Sequence, residues 1–312
     1  MANREHVERL MQGIAEWNRW RVENPGILPD LRGARLGQAK LRRAILTQTD
    51  LHEADLSQAD LSEARLREAN LYKTDLHEAD LSQADLYKAD LSQADLTNAK
   101  LRQVKLSEAK LIGARLVGAR LIRAKMTWAN LNQADLSGAN LGVANLTGVY
   151  LSQADLSGAN LSLAHLEVAR LSEARLVKAD LLKADLTRAD LTNANLNQAK
   201  LSEATLRGAL LNQASLREAN LSQADLVSVK LNQTDLSGAN LSNANLSKAM
   251  LIETILSGAC LDHVKLEGAT LERTDLRGIP WLLIMELTQR PDIIWKEVCY
   301  DLPPDQGSDT QP

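Results

Sequence analysis

The sequence predicts an all-β solenoid, and three observations lead to this prediction. From Leu31 to Leu276 a leucine recurs at every fifth residue, over fifty positions, with Met126 as the one exception. The array contains no insertion over that whole distance. From position 34 to position 274, the residue two places before each repeat position is alanine in forty of forty-nine cases, and the others are Thr or Val. A uniform unit repeated at a fixed period is typical of repeat proteins in which each unit packs on its neighbours.

A period of five excludes a single long helix and a single long strand. Five residues of α-helix turn a side chain by roughly 140° beyond a full rotation, so the leucines would spread around the helix. Five is also an odd number, so in a strand successive leucines would point to opposite faces. Within one unit, however, alanine and leucine are two apart and share a face. Each unit is therefore predicted to be a three-residue extended segment followed by a two-residue corner of mostly polar residues.

The repeated unit resembles that of the pentapeptide-repeat family, whose pattern A-(D/N)-L-x-x appears here as ADLSQ, ANLSG and ARLSE. The resemblance covers about four-fifths of the chain. It implies a right-handed quadrilateral β-helix with four units per coil, which gives about twelve coils here. The segment WNRWRVENPGILPDL resembles the one that precedes the repeats in many cyanobacterial-type members.

Four parts are predicted along the chain. Residues 1–28 form an N-terminal helical cap, residues 29–280 the β-helix, residues 281–302 a C-terminal helical cap, and residues 303–312 a disordered tail. Caps are expected because each end of a solenoid shows an unpaired strand edge and an exposed leucine layer.

The N-terminal cap is predicted to be one amphipathic helix. Asn3 is suited to cap its first turn, and Asn24-Pro25-Gly26 ends it. Trp17 and Trp20 are its candidate contacts with the array. The apolar residues at helical spacing are Val7, Leu10, Met11, Ile14 and Trp17.

The C-terminal cap is predicted to contain two short helices, WLLIMELTQ and PDIIWKEVCYDL. Two roles are open for them: a cap on the last coil, or the contact surface of a homodimer. The resemblance implies the second role, because family members that act on DNA gyrase dimerise through their C-terminal ends. A monomer or a C-terminal homodimer is therefore expected, and the candidate contacts are Trp281, Leu282, Ile284 and Trp295.

The residue before each leucine points outward, and its charge reverses in the middle of the array. Five successive positions form what we call the acidic turn: Asp75, Asp80, Asp85, Asp90 and Asp95. The next six form the basic turn: Lys100, Lys105, Lys110, Arg115, Arg120 and Lys125. With twenty residues per coil, the two turns lie side by side. The reversal either sets the register of adjacent coils by opposite charges, or forms a banded surface that attracts a charged partner.

Composition narrows the classes of function. Charged residues make up 24% of the chain and the net charge is −4, which argues against direct nucleic-acid binding. There is no signal-peptide core and no apolar run that would span a bilayer, so a cytoplasmic protein without membrane contact is expected. Cys260 and Cys299 do not form a disulfide framework. The sequence shows no motif for catalytic residues, cofactor binding or metal binding, so an enzyme is not expected.

The leading functional hypothesis is a non-catalytic interaction or scaffold protein that presents rigid β-helix faces to a protein partner. The acidic and basic turns are its candidate interaction surface. The resemblance supplies an alternative, a DNA mimic that binds gyrase or another topoisomerase and modulates quinolone action. Members of that kind often carry Phe at the leucine position and loops that project from the coils, and this array has neither. A third hypothesis is a structural rod joined end to end, which capped ends would prevent.

Overall fold

The computed structural model describes residues 2–301, so the predicted disordered tail lies outside the described residues. Two helices come first, then the repeat array, in which most units contribute a single-residue β-bridge instead of a longer strand. The helices and strands are α1 (Arg4–Gln12), α2 (Ile14–Glu23), β1 (Met250–Ile252), β2 (Thr270–Glu272), α3 (Trp281–Thr288) and β3 (Ile294–Lys296).

The array winds with twenty residues per coil. Each outward residue pairs in parallel with the outward residue twenty positions later, from Asp30 with Asp50 through to Ile255 with Asp275. A coil therefore holds four units and has four faces. The predicted solenoid of extended segments and corners is confirmed by this continuous ladder.

Three backbone hydrogen bonds per unit join one coil to the next. In the unit around Leu81, the N–H of Leu81 donates to the carbonyl of Lys100 (2.7 Å), and the N–H of Lys100 donates to the carbonyl of Ala79 (2.9 Å). At the corner, the N–H of Gln83 donates to the carbonyl of Arg102 (2.9 Å). The same pattern along the array satisfies the backbone polar groups that a buried coil would otherwise leave unpaired.

Each corner is a four-residue turn closed by one hydrogen bond. In the same unit, the N–H of Ala84 donates to the carbonyl of Leu81 (3.0 Å). Gln83, the third residue of the turn, has a φ of 60°, in the left-handed region that non-glycine residues seldom adopt. The hydrogen bond from the N–H of Gln83 to the next coil stabilises this left-handed conformation. Gln, Glu and Lys therefore occur at a position where glycine would be expected.

The interior of the solenoid consists of stacked leucine and alanine side chains. The array leucines and Met126 are buried, and so are nearly all the alanines two places before them. Leucine burial is worth about 1.5–3 kcal/mol per side chain, which makes this stack the main favourable term in folding.

Five threonines stand at alanine positions and are fully buried: Thr49, Thr74, Thr234, Thr254 and Thr274. Four of them donate Oγ1 to the carbonyl of the leucine twenty-three residues earlier, as Thr234 does to Leu211 (2.6 Å). The residue twenty-three before Thr49 is Gly26, which precedes the array. Among the described residues, Thr49 Oγ1 therefore has no hydrogen-bond partner.

This contrast predicts opposite effects for one substitution at two sites. Thr49→Ala should leave the free energy of unfolding unchanged or raise it by roughly 1 kcal/mol, because it removes a buried hydroxyl without a partner. Thr234→Ala should lower it by roughly 1 kcal/mol, because the bond to Leu211 is lost. Guanidinium unfolding midpoints of the two variants measure the difference, and equal midpoints would contradict the assignment.

The N-terminal segment forms two helices, so the prediction of one helix was wrong. Asn3 caps α1 as predicted, since its Oδ1 accepts the N–H of Glu5 (2.9 Å). α1 ends at Gln12, and Gly13, whose φ of 134° and ψ of 153° lie outside the helical region, separates it from α2. The predicted apolar stripe is divided at this break. Leu10 and Trp17 are buried in the core, whereas Met11 is exposed.

The second predicted C-terminal helix is also wrong. α3 covers most of WLLIMELTQ, but the next segment forms β3, which pairs in parallel with β2, and Cys299 then bridges Asp275. The N–H of Ile294 donates to the carbonyl of Ala269 (2.9 Å), as in the array ladder. The reason is that β2 would otherwise be an open edge, and the β-branched residues of this segment favour a strand.

Candidate interaction surface

The structure brings the acidic and basic turns together on adjacent coils. The pairs in direct register are Asp80 with Lys100, Asp85 with Lys105, Asp90 with Lys110, and Asp95 with Arg115. Of these four, only Asp95 and Arg115 form an ion pair within residues 2–301, at 4.0 Å. The side chains are thus neighbours, as predicted, but ion pairing between them is a minor contribution to coil register.

The aspartates of the acidic turn instead close the corners that follow them. The Oδ1 atom of Asp80 accepts the N–H of Ser82, two residues later, at 2.9 Å. Asparagine makes the same bond, as between Asn145 and Thr147 (3.1 Å). Such a bond stabilises the local turn, which explains why Asp and Asn dominate the outward position. The other aspartates of the acidic turn do the same, namely Asp75, Asp85, Asp90 and Asp95.

These hydrogen bonds lower the pKa of several outward carboxyls. The Ser57 side chain lowers the pKa of Asp55. Partial burial alone would raise the pKa of Asp95, but hydrogen bonds from Thr97 and the charge of Arg115 hold it below its ordinary value. At the first coil, Arg32 lowers the pKa of Asp30 to about 2.

Stability is therefore expected to fall in acid. A carboxyl whose pKa is lower in the folded protein than in the unfolded chain stabilises the fold when it is ionised. This contribution is fully present above the pKa of the unfolded chain, about 3.9 for Asp, and it is lost as the pH falls through the pKa of the folded protein. For Asp30 this window reaches down to about 2. Guanidinium midpoints measured at decreasing pH should decline below about 4. The control is Asp55→Asn, which keeps the corner bond and should show a weaker decline, and a flat profile in the unchanged protein would refute the expectation.

The basic turn is arranged differently from the acidic turn. Lys100 lies beside Arg120 on one face, and Lys105 lies beside Lys125 on the next, so like charges are stacked on consecutive coils. In the part of the chain that the structure describes, Arg115 alone among the six makes an ion pair. A lysine or arginine cannot accept an N–H, so the corners after them also lack the bond that aspartate supplies.

The unpaired cations concentrate around one corner of the solenoid. Lys105 and Lys125 line a shallow cleft together with Arg123, Gln83 and Gln103. A cluster of cations held apart by rigid backbone attracts anionic groups and steers their approach, with a strength that falls as salt rises.

The predicted N-terminal contacts, Trp17 and Trp20, lie against the start of the array. Trp17 is fully buried, and its Nε1 donates to the carbonyl of Ile45 (3.0 Å). Trp20 packs on Trp17 with ring centroids 5.2 Å apart.

The predicted C-terminal contacts are divided between two sides of the segment. Ile284 is buried, and Trp281 and Trp295 are half-buried against the core. Leu282 is 84% exposed and does not contribute to that packing.

Within residues 2–301, none of the helices combines the length and the apolar character needed to cross a membrane.

The sequence-based predictions missed a set of exposed apolar side chains at corners. They are Ile112, Trp128, Val143, Leu163, Val168 and Leu182, of which Trp128, Val143, Leu163 and Val168 lie near one another on one side of the solenoid. The available signal was the presence of apolar residues at corner positions that are polar almost everywhere else in the array.

Comparison with known proteins identifies one family. The family model for pentapeptide repeats matches overlapping segments that together run from residue 30 to residue 278. No curated protein sequence matches the chain.

Several solved structures are similar to it. HetL, a pentapeptide repeat protein involved in heterocyst differentiation regulation from the cyanobacterium Nostoc sp. strain PCC 7120, is 37% identical, with 71% of this chain and 89% of HetL covered and a TM-score of 0.36. Rfr23, a pentapeptide repeat protein from the cyanobacterium Cyanothece 51142, is 32% identical, with 40% and 63% covered and a TM-score of 0.19. QnrB1, a plasmid-mediated fluoroquinolone resistance protein, is 16% identical, with 61% and 85% covered and a TM-score of 0.24.

The matched segments span well over half of the chain and coincide with the ladder of bridges. The resemblance predicted from the repeated unit is thereby confirmed. This chain belongs to the pentapeptide-repeat family, and its fold is a right-handed β-helix solenoid.

Proposed function

We propose that the chain is a non-catalytic interaction protein that presents the rigid faces of its β-helix to a protein partner. In this proposal the helix has about twelve coils, at four units each. The N-terminal helices and the C-terminal segment act as caps over the leucine layers. The protein works in the cytoplasm, as a monomer or as a homodimer joined through the exposed side of α3.

One observation carries the proposal, namely the unpaired cations of the basic turn. Lys100 and Lys105 stand where Asp or Asn would close a corner, and their neighbours on the next coil are Arg120 and Lys125. Like charges in direct register are unfavourable, and the missing corner bonds add to that effect. Packing does not explain why like charges that destabilise the coil are placed side by side. Such a cluster of cations is expected on a surface that attracts an anionic partner.

The acidic turn supplies the other half of the candidate surface. Its five aspartates cover all four faces of one coil, directly beside the basic turn. Adjacent bands of opposite charge favour one orientation of a complementary partner and raise its association rate.

A pull-down from lysate of the source organism tests the proposal. The baits are the natural protein, a variant with the five aspartates of the acidic turn changed to Asn, and a variant with Lys100, Lys105, Arg120 and Lys125 changed to Asn. Asparagine keeps or adds the corner bond, so each variant removes charge without opening the coil. We expect a protein captured by the natural bait and lost with at least one variant. Identical captures on all three baits, or none on any, would refute the proposed surface.

The acidic turn also favours a second candidate, a DNA mimic that binds DNA gyrase and modulates quinolone action. Its half-buried carboxylates present negative charge on every side of the rod. A gyrase supercoiling assay with and without a quinolone tests this candidate. Protection by the natural protein, lost with the five Asp→Asn changes, would support it, and an unchanged assay would exclude it.

A further inference from the structure

One face of the solenoid combines exposed apolar side chains with unpaired cations. Its centre is the ladder Lys105–Lys125–Asn145–His165, whose members pair in sequence on successive coils. We call the segment from Trp128 to Val168 on this side the Trp128 face. Its residues are Trp128, Val143, Asn145, Leu163, His165 and Val168.

The apolar side chains line both edges of the Trp128 face. Val143 and Leu163 are 43% and 50% exposed at one edge, and Trp128 and Val168 are 52% and 41% exposed at the other. Consecutive corners are bonded, so these side chains keep their spacing, as when the N–H of Val143 donates to the carbonyl of Ser162 (2.9 Å). Between residues 126 and 169 the chain has no Lys or Arg.

Trp128 is held in place by a glycine on the next coil. A Cβ atom on Gly148 would lie 2.5 Å from two atoms of the Trp128 ring, so the ring rests directly on the Gly148 backbone. The N–H of Trp128 donates to the carbonyl of Thr147 (3.1 Å), which fixes the corner that carries it. One side of the ring is therefore packed, while the other side faces solvent in a fixed orientation. Preorganised aromatic residues of this kind dominate the energy of many interfaces.

The two ends of this face differ in charge. At the N-terminal end stand Lys105, Lys125 and Arg123, none of which makes an ion pair among the described residues. At the other end Glu167 is already engaged, with His165 (3.6 Å) and with the hydroxyl of Thr147 (3.1 Å). Beyond His165 the next member of the ladder is Asp185, which makes no ion pair among the described residues. Positive charge therefore lies beside Trp128 and Val143, at the N-terminal end, and negative charge lies at the other end.

We propose that the Trp128 face is the docking site for an acidic protein segment that carries apolar side chains. Its apolar side chains would cover Trp128 and Leu163, and its carboxylates would meet Lys105, Lys125 and Arg123. This inference rests on the proposed function and assigns its partner a chemistry. A protein segment is favoured over nucleic acid because Val143, Leu163 and Val168 offer nothing for bases to stack on.

The test is fluorescence anisotropy with a fluorescein-labelled peptide in which leucine and glutamate alternate. Trp128→Gln and Leu163→Gln are the apolar variants, since Gln is common at these corners, and Lys125→Asn is the charge variant. Matched controls lie on the other side of the rod: Ile112→Gln at a corner that adjoins the opposite face, and Arg115→Asn on that face. We expect Trp128→Gln to weaken peptide binding about tenfold or more. Lys125→Asn should weaken it severalfold and reduce its salt dependence. The control variants should bind the peptide like the natural protein.

Several outcomes would overturn the inference. They are an absence of peptide binding, equal losses in the site and control variants, or equal binding of a peptide with lysine in place of glutamate. Stronger binding of a single-stranded oligonucleotide would assign the face to nucleic acid instead. Sedimentation that shows a dimer lost with Trp128→Gln would assign it to a second copy of this chain.

A pull-down separates failure of this inference from failure of the proposed function. If the natural bait captures a protein that the Trp128→Gln and Leu163→Gln baits still capture, the Trp128 face is not the site, while the interaction function stands. If the natural bait captures none, both proposals fail. Loss of an acidic, apolar-rich partner with the site variants, but not with Ile112→Gln, is the supporting result.

Discussion

Leu136→Ala is expected to lower the free energy of unfolding by about 3–5 kcal/mol, in the upper part of the range for buried leucines. Leu136 is fully buried, between Leu116 and Leu156 on the neighbouring coils. Its own N–H donates to the carbonyl of Asp155 (2.7 Å), and the leucines around it are held by equivalent bonds. Because every neighbour is fixed by its own coil, the cavity cannot collapse, and most of the lost contact is not recovered.

Guanidinium unfolding followed by circular dichroism measures this effect, with Met126→Leu as the control. Met126 occupies the same kind of position and is equally buried, so the exchange should change stability by less than about 1.5 kcal/mol. A loss below about 1 kcal/mol for Leu136→Ala would mean that the coils move together to fill the space. The layered core would then be softer than its hydrogen-bond ladder indicates.

Changing Lys100, Lys105, Arg120 and Lys125 together to asparagine is expected to stabilise the protein by about 2–4 kcal/mol. Each asparagine can accept the N–H two residues later, as Asn145 does from Thr147, and a typical bond of this kind contributes about 0.5–1.5 kcal/mol. The change also removes two like-charged contacts, Lys100 with Arg120 and Lys105 with Lys125.

Thermal unfolding of this variant should shift to higher temperature, and Thr205→Asn separates the two contributions. Thr205 is uncharged and occupies the same position in a unit, so its change adds a corner bond without altering charge. A gain from Thr205→Asn of about 0.5 kcal/mol, together with a gain from the fourfold change that is more than four times as large, would show that the cations themselves reduce stability. A destabilised fourfold variant would mean that the basic turn supports the coil, and the main argument for a binding surface would be lost.

The regular part of the fold was predictable because its information is local. Leu and Ala two apart define the inward face of one unit, and fifty units of equal length leave little freedom in how the units stack. The resemblance to the pentapeptide-repeat family, with four units per coil, predicted that Asp80 lies beside Lys100, and the bridge between them confirms it. The contacts of those side chains were less predictable. Asp80 has two possible partners, Lys100 on the next coil and the N–H of Ser82 two residues later, and it accepts a hydrogen bond from Ser82.

The ends of the array were less predictable because their residues have no repeat to constrain them. The segment PDIIWKEVCYDL has the composition of a short helix, yet the open edge of β2 draws Ile294–Lys296 into a strand. Met11 falls on the apolar stripe of a continuous helix, and the break at Gly13 turns it outward.

The sequence by itself determined the solenoid, its inward and outward positions, the family and the place where the surface charge reverses. Each of these follows from a period that every unit repeats. Only the tertiary structure decided that the aspartates close corners, that five of the six basic-turn cations make no ion pair within residues 2–301, and that Trp128 rests on Gly148. Each aspartate has a choice between a cation one coil away and the N–H two residues later, and Trp128 depends on the residue one coil away. The one-dimensional pattern does not decide between such partners, whereas hydrogen-bond geometry and steric fit do.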